Sequence, residues 1–197
     1  MRHYFLVVGA LLATLADAAK NKDLLKAISQ NNPALVNMAL KSGDHPNMVG
    51  EDGDSPLMFA VRGGKHKAAK ALIKAKADLS FVDANGMNMM HVSADRGDDK
   101  TLLVLLTAGL DPNTRQEADG LHPIHRAVLK GHTDAIKVLL NAEVSAMQPT
   151  ADGRLPMDLA ADKATQEVLK KFGRATAPAS PSPDAAAEDA KSTKAEL

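Results

Sequence analysis

The chain has 197 residues, enough for one domain with a sizeable core, and its 24 basic and 24 acidic residues leave a formal net charge of +0. That balance argues against a nucleic-acid binder, which commonly carries a basic excess, and an aromatic content of 3% with no Trp leaves few stacking platforms for bases or sugars. With Cys at 0, no disulfide and no thiolate chemistry are available, so packing of Leu, Ile, Val, Ala and Met has to hold the fold.

Residues 1–18 read as a secretory signal peptide. Arg2 supplies a short positive start, Phe5 to Leu12 is apolar, and Ala16-Asp17-Ala18 places small residues at a cleavage site after Ala18. The apolar run is short for a bilayer span, and no later run is longer, so no membrane span is expected after cleavage. The expected compartment is the secretory pathway, with the mature chain secreted or periplasmic, or in the ER lumen of a eukaryote. No Asn-x-Ser/Thr sequon occurs, so no N-glycan is expected.

From Ala19 onward the text repeats. Glycines at 53, 86, 120 and 153 are separated by 33, 34 and 33 residues, and Gly64, Gly97 and Gly131 each follow 11 residues after one of them. Either side of the second glycine lies a helix of roughly eight to ten residues with one apolar stripe, as at Ile136, Leu139 and Leu140. Ser55 is suited to cap a helix and Pro56 to its first position, where a missing N–H costs nothing. Gly64, Gly97 and Gly131 accept the positive φ that ends a first helix. Met89 and Met90 fall on core positions. One such helix pair cannot bury its own stripe; stacked neighbours can.

These marks resemble the ankyrin repeat. Gly120-Leu121-His122-Pro123-Ile124-His125 with Gly131-His132 is the best match, and Gly53-Asp54-Ser55-Pro56-Leu57 is another. Gly109-Leu110-Asp111-Pro112-Asn113 and the looser Gly43-Asp44-His45-Pro46-Asn47 match the closing signature of a unit. The resemblance implies an all-α solenoid of about five helix–turn–helix units joined by β-hairpin-like loops. The units divide as 19–50, 51–83, 84–117, 118–150 and 151–173, with the odd extra residue among Thr114 to Asp119.

The family resemblance also implies what the chain does. It points to a protein-binding module with no catalysis and no cofactor or metal, acting as a monomer. Partner contacts would come from loop tips and the exposed side of the first helices, on the concave face. Those slots are Glu51, Asp52, Asp54 and Arg62, then Asn85, Met87, Asp95 and Arg96. Gln116, Asp119, Leu121 and Lys130 follow, and Asp152, Arg154 and Lys163 complete the set. The expectation is a polar groove, acidic early and basic in the late first helices, with apolar contacts at Met87 and Leu121. Lysines 65, 67, 70, 74 and 76 line the second helix of the first full unit, facing outward as a solvated face or towards an anionic partner.

Two other readings compete with partner binding. His122, His125 and His132 are three of seven histidines and could serve a metal or acid–base site. The family instead uses His91 and His125 to tie repeat turns together, and His122, in the usual Thr slot, would cap its helix. No Gly-x-Ser-x-Gly, Walker loop or His-Glu-x-x-His occurs, and Asp95-Arg96-Gly97-Asp98-Asp99 lacks EF-hand spacing. The third reading is a stress-protective periplasmic protein with weak, broad binding. Residues 174–197, rich in Ala, Pro and Ser, are expected to be a disordered tail. Its end, Lys194-Ala195-Glu196-Leu197, is a degenerate form of the KDEL retrieval signal.

Overall fold

The computed structural model describes residues 21–50 and 52–176, with side chains through Phe172. The expected signal peptide, Glu51 and nearly all of the expected tail therefore lie outside the described residues. Ten helices occur among the described residues, and they alternate between two layers. The first-helix layer holds α1 (Lys22–Ser29), α3 (Pro56–Arg62), α5 (Met89–Arg96), α7 (Pro123–Leu129) and α9 (Pro156–Leu159). The second holds α2 (Pro33–Lys41), α4 (His66–Lys74), α6 (Asp99–Thr107), α8 (Thr133–Asn141) and α10 (Lys163–Thr176). Each helix packs on the same-layer helix of the next unit and on its own partner, so the chain is a five-unit stack. The all-α solenoid expected from the repeat is what forms.

Local sequence sets the helix starts. Ser55 Oγ accepts the Met58 N–H at 3.1 Å, with Pro56 next in line, and Asn88 Oδ1 accepts the His91 N–H at 3.1 Å. Asp98 and Asp162 each cap through a threonine three residues on: Asp98 Oδ1 accepts from Thr101 N at 3.0 Å, Asp162 Oδ1 from Thr165 N at 2.8 Å, and both threonine hydroxyls donate to the same carboxylates. The core runs between the layers. Leu57, Met58 and Val61 of α3, Met89 and Met90 of α5, and Ile124 of α7 are sealed from solvent against Leu72, Leu102, Leu105, Ile136 and Leu139 of the second layer. Each such side chain contributes about 1.5–3 kcal/mol by leaving water.

The connecting loops are narrow turns closed by one backbone bond. Gly50 N donates to Asp54 O, Asp83 N to Met87 O and Thr150 N to Arg154 O, always across four residues. In the third loop Gln116 N reaches Leu121 O, across five. The additional residue of the longer repeat is thus held between Gln116 and Leu121, where it extends a loop and disturbs no helix.

Neighbouring units fit through the turn between the two helices. Gly64, Gly97 and Gly131 have φ of 64, 69 and 70°, and the corresponding residue of the first unit, Asn31, shares the left-handed conformation at φ 52°. Asn31 adds a side chain there: its Oδ1 accepts the Lys67 and Ala68 N–H groups at 3.0 and 3.1 Å. It caps α4 from the unit before, because Lys65 at that N-cap position makes no cap bond.

The final unit departs from the others. α9 has only four residues, and Ala160 after it is extended (ψ 103°). α10 runs through Gly173 to Thr176, so the expected boundary at residue 173 falls inside a helix. Among the described residues no later helix packs on α9 or α10, so the length of α9 is not set by a following unit there.

Gly97 carries the tightest of these contacts. A Cβ there would lie 2.6 Å from the His132 ring, whereas one at Gly53 (φ 78°) would meet nothing within 4 Å. Gly53→Ala is therefore expected to cost about 1 kcal/mol for the left-handed backbone alone, and Gly97→Ala about 2–4 kcal/mol because the imidazole must also move. Urea unfolding of the two variants side by side measures the difference.

Candidate binding flank

The first helices end, and the loops project, along one flank. Asp54 and Arg62 there belong to a clamp that spans two units. Arg62 Nε meets Asp54 Oδ2 at 2.6 Å, and Arg62 Nη2 meets Asp83 Oδ2 of the following loop at 2.6 Å. Asp83, which the sequence reading overlooked, is the buried end of this clamp, with only 2% of its side chain exposed. Burial works against its charge, but the Met87 and Asn85 N–H groups and the Arg62 guanidinium outweigh that and hold the carboxyl below its usual range. A second clamp lies one unit on. Arg126 Nη2 donates to Gln116 Oε1 at 2.7 Å and to Asp119, while Gln116 Nε2 donates to the Asn85 carbonyl at 2.6 Å. The Arg126 Nε is buried with no acceptor.

Several expected contact residues occupy other places. Gln116 is 3% exposed, because its amide joins two loops. Leu121 is 8% exposed, and its carbonyl accepts from His91. Neither presents a surface to a partner. Lys163 is not on a first helix: α9 stops at Leu159, and Lys163 is the exposed first residue of α10. Met87 is half-buried and packs on the core. Asp95 is half-buried, its carbonyl bound by His132. Asp152 and Arg154 are exposed but pair with each other at 2.7 Å. Asp119 is exposed and tied to Arg126. Asp52, Asn85, Arg96 and Lys130 remain exposed, and no side-chain ion pair engages Arg96 or Lys130 among the described residues.

Leu129 was also overlooked. It lies 47% exposed next to Lys130, in the slot that Arg62 and Asp95 fill in other units. Its periodic place was readable, but an apolar residue in a helix reads as core until the packed neighbours are known. Val82 (54%) and Val49 (52%) stand out from the loops in the same way.

The histidines do not converge. His125 Nε2–H donates to the Gln148 carbonyl at 2.8 Å, and its Nδ1 accepts the His122 N–H at 3.0 Å. His132 faces the Asp95 carbonyl at 3.0 Å, one unit back. His122 sits at the N-cap position but makes no cap bond. Its ring turns to the Asn113 carbonyl at 2.9 Å and is 7% exposed, so the side-chain cap expected of it does not form. Among the described residues no group of three or more His, Cys, Asp or Glu is arranged to hold a metal. Each of these rings has a nitrogen occupied by a backbone carbonyl.

A family model described as "Ankyrin repeats (3 copies)" matches residues 24–116 and 94–173. The chain belongs to the ankyrin-repeat family. Ankyrin repeats generally serve as protein–protein interaction modules. Among curated relatives, the E3 ubiquitin-protein ligase KEG of Arabidopsis thaliana is 28% identical over 157 residues, covering 77% of this chain and 10% of KEG. The tyrosine-protein kinase Shark of Drosophila melanogaster is 28% identical over 150 residues, 76% of this chain and 16% of Shark. Against these large proteins the chain spans a small fraction of their length. Cyclin-dependent kinase 4 inhibitor B of Rattus norvegicus differs: 30% identity over 129 residues covers 66% of this chain and 98% of the inhibitor.

His91 makes the ankyrin stack sensitive to acid. Its Nε2–H donates to the Leu121 carbonyl at 3.1 Å, and the ring is 1% exposed. Burial pushes its pKa down to about 4, against the carbonyl that favours the charged form. Burial likewise lowers His125. An unfolded histidine titrates near 6.5. As pH falls from about 6.5 towards 4, the unfolded chain therefore takes up protons that the folded chain refuses, and stability drops across that window. Urea unfolding is expected to show a loss of about 2–3 kcal/mol from His91 between pH 7 and 4.5. His91→Gln, less stable at pH 7, is expected to show a flatter profile.

Proposed function

We propose that this chain binds a partner protein through the flank formed by its first helices and loop tips, as a single chain with no chemistry of its own. One observation carries the reading: the buried rings of His91, His122 and His125 and the side chains of Asp83 and Gln116 are engaged in joining units, while Asp52, Asn85, Arg96, Leu129 and Lys130 are left exposed. The rat kinase inhibitor supports it as well. The matched region is 98% of that protein, so in the relative an array of this extent is nearly the whole inhibitor. Ion-pair clamps at Arg62 and Arg126 stiffen the loops, and a pre-ordered surface loses less entropy when a partner docks.

We further propose that the protein is exported. The reading rests on the Arg2, Phe5–Leu12 and Ala16-Asp17-Ala18 pattern.

Two measurements test these proposals. Affinity capture with the chain from Ala19 onward, in its own compartment, is expected to enrich a partner that an Arg96→Ala/Leu129→Ala/Lys130→Ala variant recovers at least about tenfold less well. Equal recovery by a folded variant would falsify the flank reading. Protein collected after passage through a secreting host is expected to have the mass of a chain beginning at Ala19. An intact Met1 terminus would count against export.

A further inference from the structure

The second-helix layer carries a feature that flank binding does not use. Between α4 and α6 lies a recess of about 350 Å³. Ile73, Leu103, Val104 and Ala108 give it an apolar floor, and Lys70 and Lys74 form its rim. Leu103 is 51% exposed, although its neighbours Leu102 and Leu105 on the same helix are fully buried. Lys67, Lys70 and Lys74 recur at i, i+3 and i+7, so they follow one side of α4, and all three are exposed. Lys65 and Lys76 flank the helix, and no acidic residue occurs from Lys65 to Ala77.

Two lysines elsewhere in this layer are neutralised within their own helix. On α8, Lys137 pairs with Asp134 at 2.8 Å, and on α10, Lys170 pairs with Glu167 at 3.3 Å. The larger recess between α8 and α10, about 720 Å³, has Glu167 among its lysines Lys137, Lys170 and Lys171 and is mixed in charge. Among the described residues no carboxylate pairs with Lys67, Lys70 or Lys74. A solvated helix of an ordinary repeat array interleaves its charges. α4 instead sets unpaired positive charge beside an unfilled apolar recess.

We propose that the α4–α6 recess docks an acidic amphipathic segment of a partner protein, its apolar side chains entering over Leu103 and Ile73 and its carboxylates meeting Lys67, Lys70 and Lys74. Charge complementarity selects an acidic occupant, and the apolar floor selects one that alternates carboxylates with aliphatic side chains. A lipid surface fits less well, because the apolar atoms are recessed between two helices and do not project as an insertion wedge. This docking is separate from the flank, which lies on the first-helix side of the stack.

The test uses the full chain and a labelled synthetic peptide of glutamates with leucines at helical spacing, read by fluorescence anisotropy. Control peptides carry serine for leucine or lysine for glutamate, and vesicles of phosphatidylserine and phosphatidylcholine probe the lipid alternative. The glutamate–leucine peptide is expected to bind, with affinity falling as salt rises. Lys70→Glu/Lys74→Glu is expected to weaken it by about tenfold or more, and Leu103→Ser by about fivefold. Unchanged helicity in both variants confirms that they fold. Arg96→Ala/Lys130→Ala is expected to leave peptide affinity unchanged, which separates this docking from failure of the flank reading. No binding of the peptide, equal binding of the serine control, undiminished binding by the double variant, or binding to vesicles alone would each overturn the proposal.

Discussion

The structure depends on bonds that cross from one helix pair to the next. A pair such as α3 and α4 has only one stripe of apolar side chains on each helix and no interior of its own. Its backbone ends are also left short of partners. Adjacent units solve both problems at the same surface. Asn31 caps α4, His91 binds the Leu121 carbonyl, His125 binds the Gln148 carbonyl, His132 reaches back to Asp95, and Asn47 accepts the Asp78 N–H at 2.7 Å. Each bond satisfies a backbone group of a neighbouring unit, and where the site is buried, as at the Leu121 carbonyl, an unmade hydrogen bond costs about 1–3 kcal/mol. The stack is cooperative because a unit without its neighbour loses packing and polar partners together.

That arrangement separates interior duties from exterior ones. The rings of His91, His122, His125 and His132 and the amide of Gln116 are taken up in joining units, and burial holds the His91 ring neutral at ordinary pH. What remains outside is charge and a few apolar side chains on a stiff frame. Along the first-helix flank, arginines bridge loop to loop. On the second-helix face, unpaired lysines border a recess. The two faces are distinct in character because the helices of each layer expose opposite sides, so the same stack is able to present two unlike surfaces.

The first and last described units depart from the inner ones. In the first unit Asn31 takes the place where later units have glycine. Its side chain replaces the cap that Lys65 does not provide. In the last unit the first helix shrinks to Pro156–Leu159, while α10 extends beyond the length of other second helices.

The repeat period, the capping residue Ser55, the turn glycines and the core methionines were all legible in the sequence. They are local requirements: a left-handed turn, a side-chain oxygen at a helix start, an apolar stripe at a period of 3.6 residues. The unit count and all-α class follow from them. Which polar residues stay exposed was not legible. Gln116 and Leu121 sit in slots that read as surface, yet each is buried because a neighbouring loop lies against it. Leu129 reads as core and is exposed, and Asp83 reads as a loop residue and is the buried end of a clamp. Exposure is decided by what the next unit places opposite a residue, 30 or more positions away, as with His91 and Leu121 at a separation of 30. Only the stacked tertiary structure contains that information, because a single unit's own spacing does not record its neighbour's side chains.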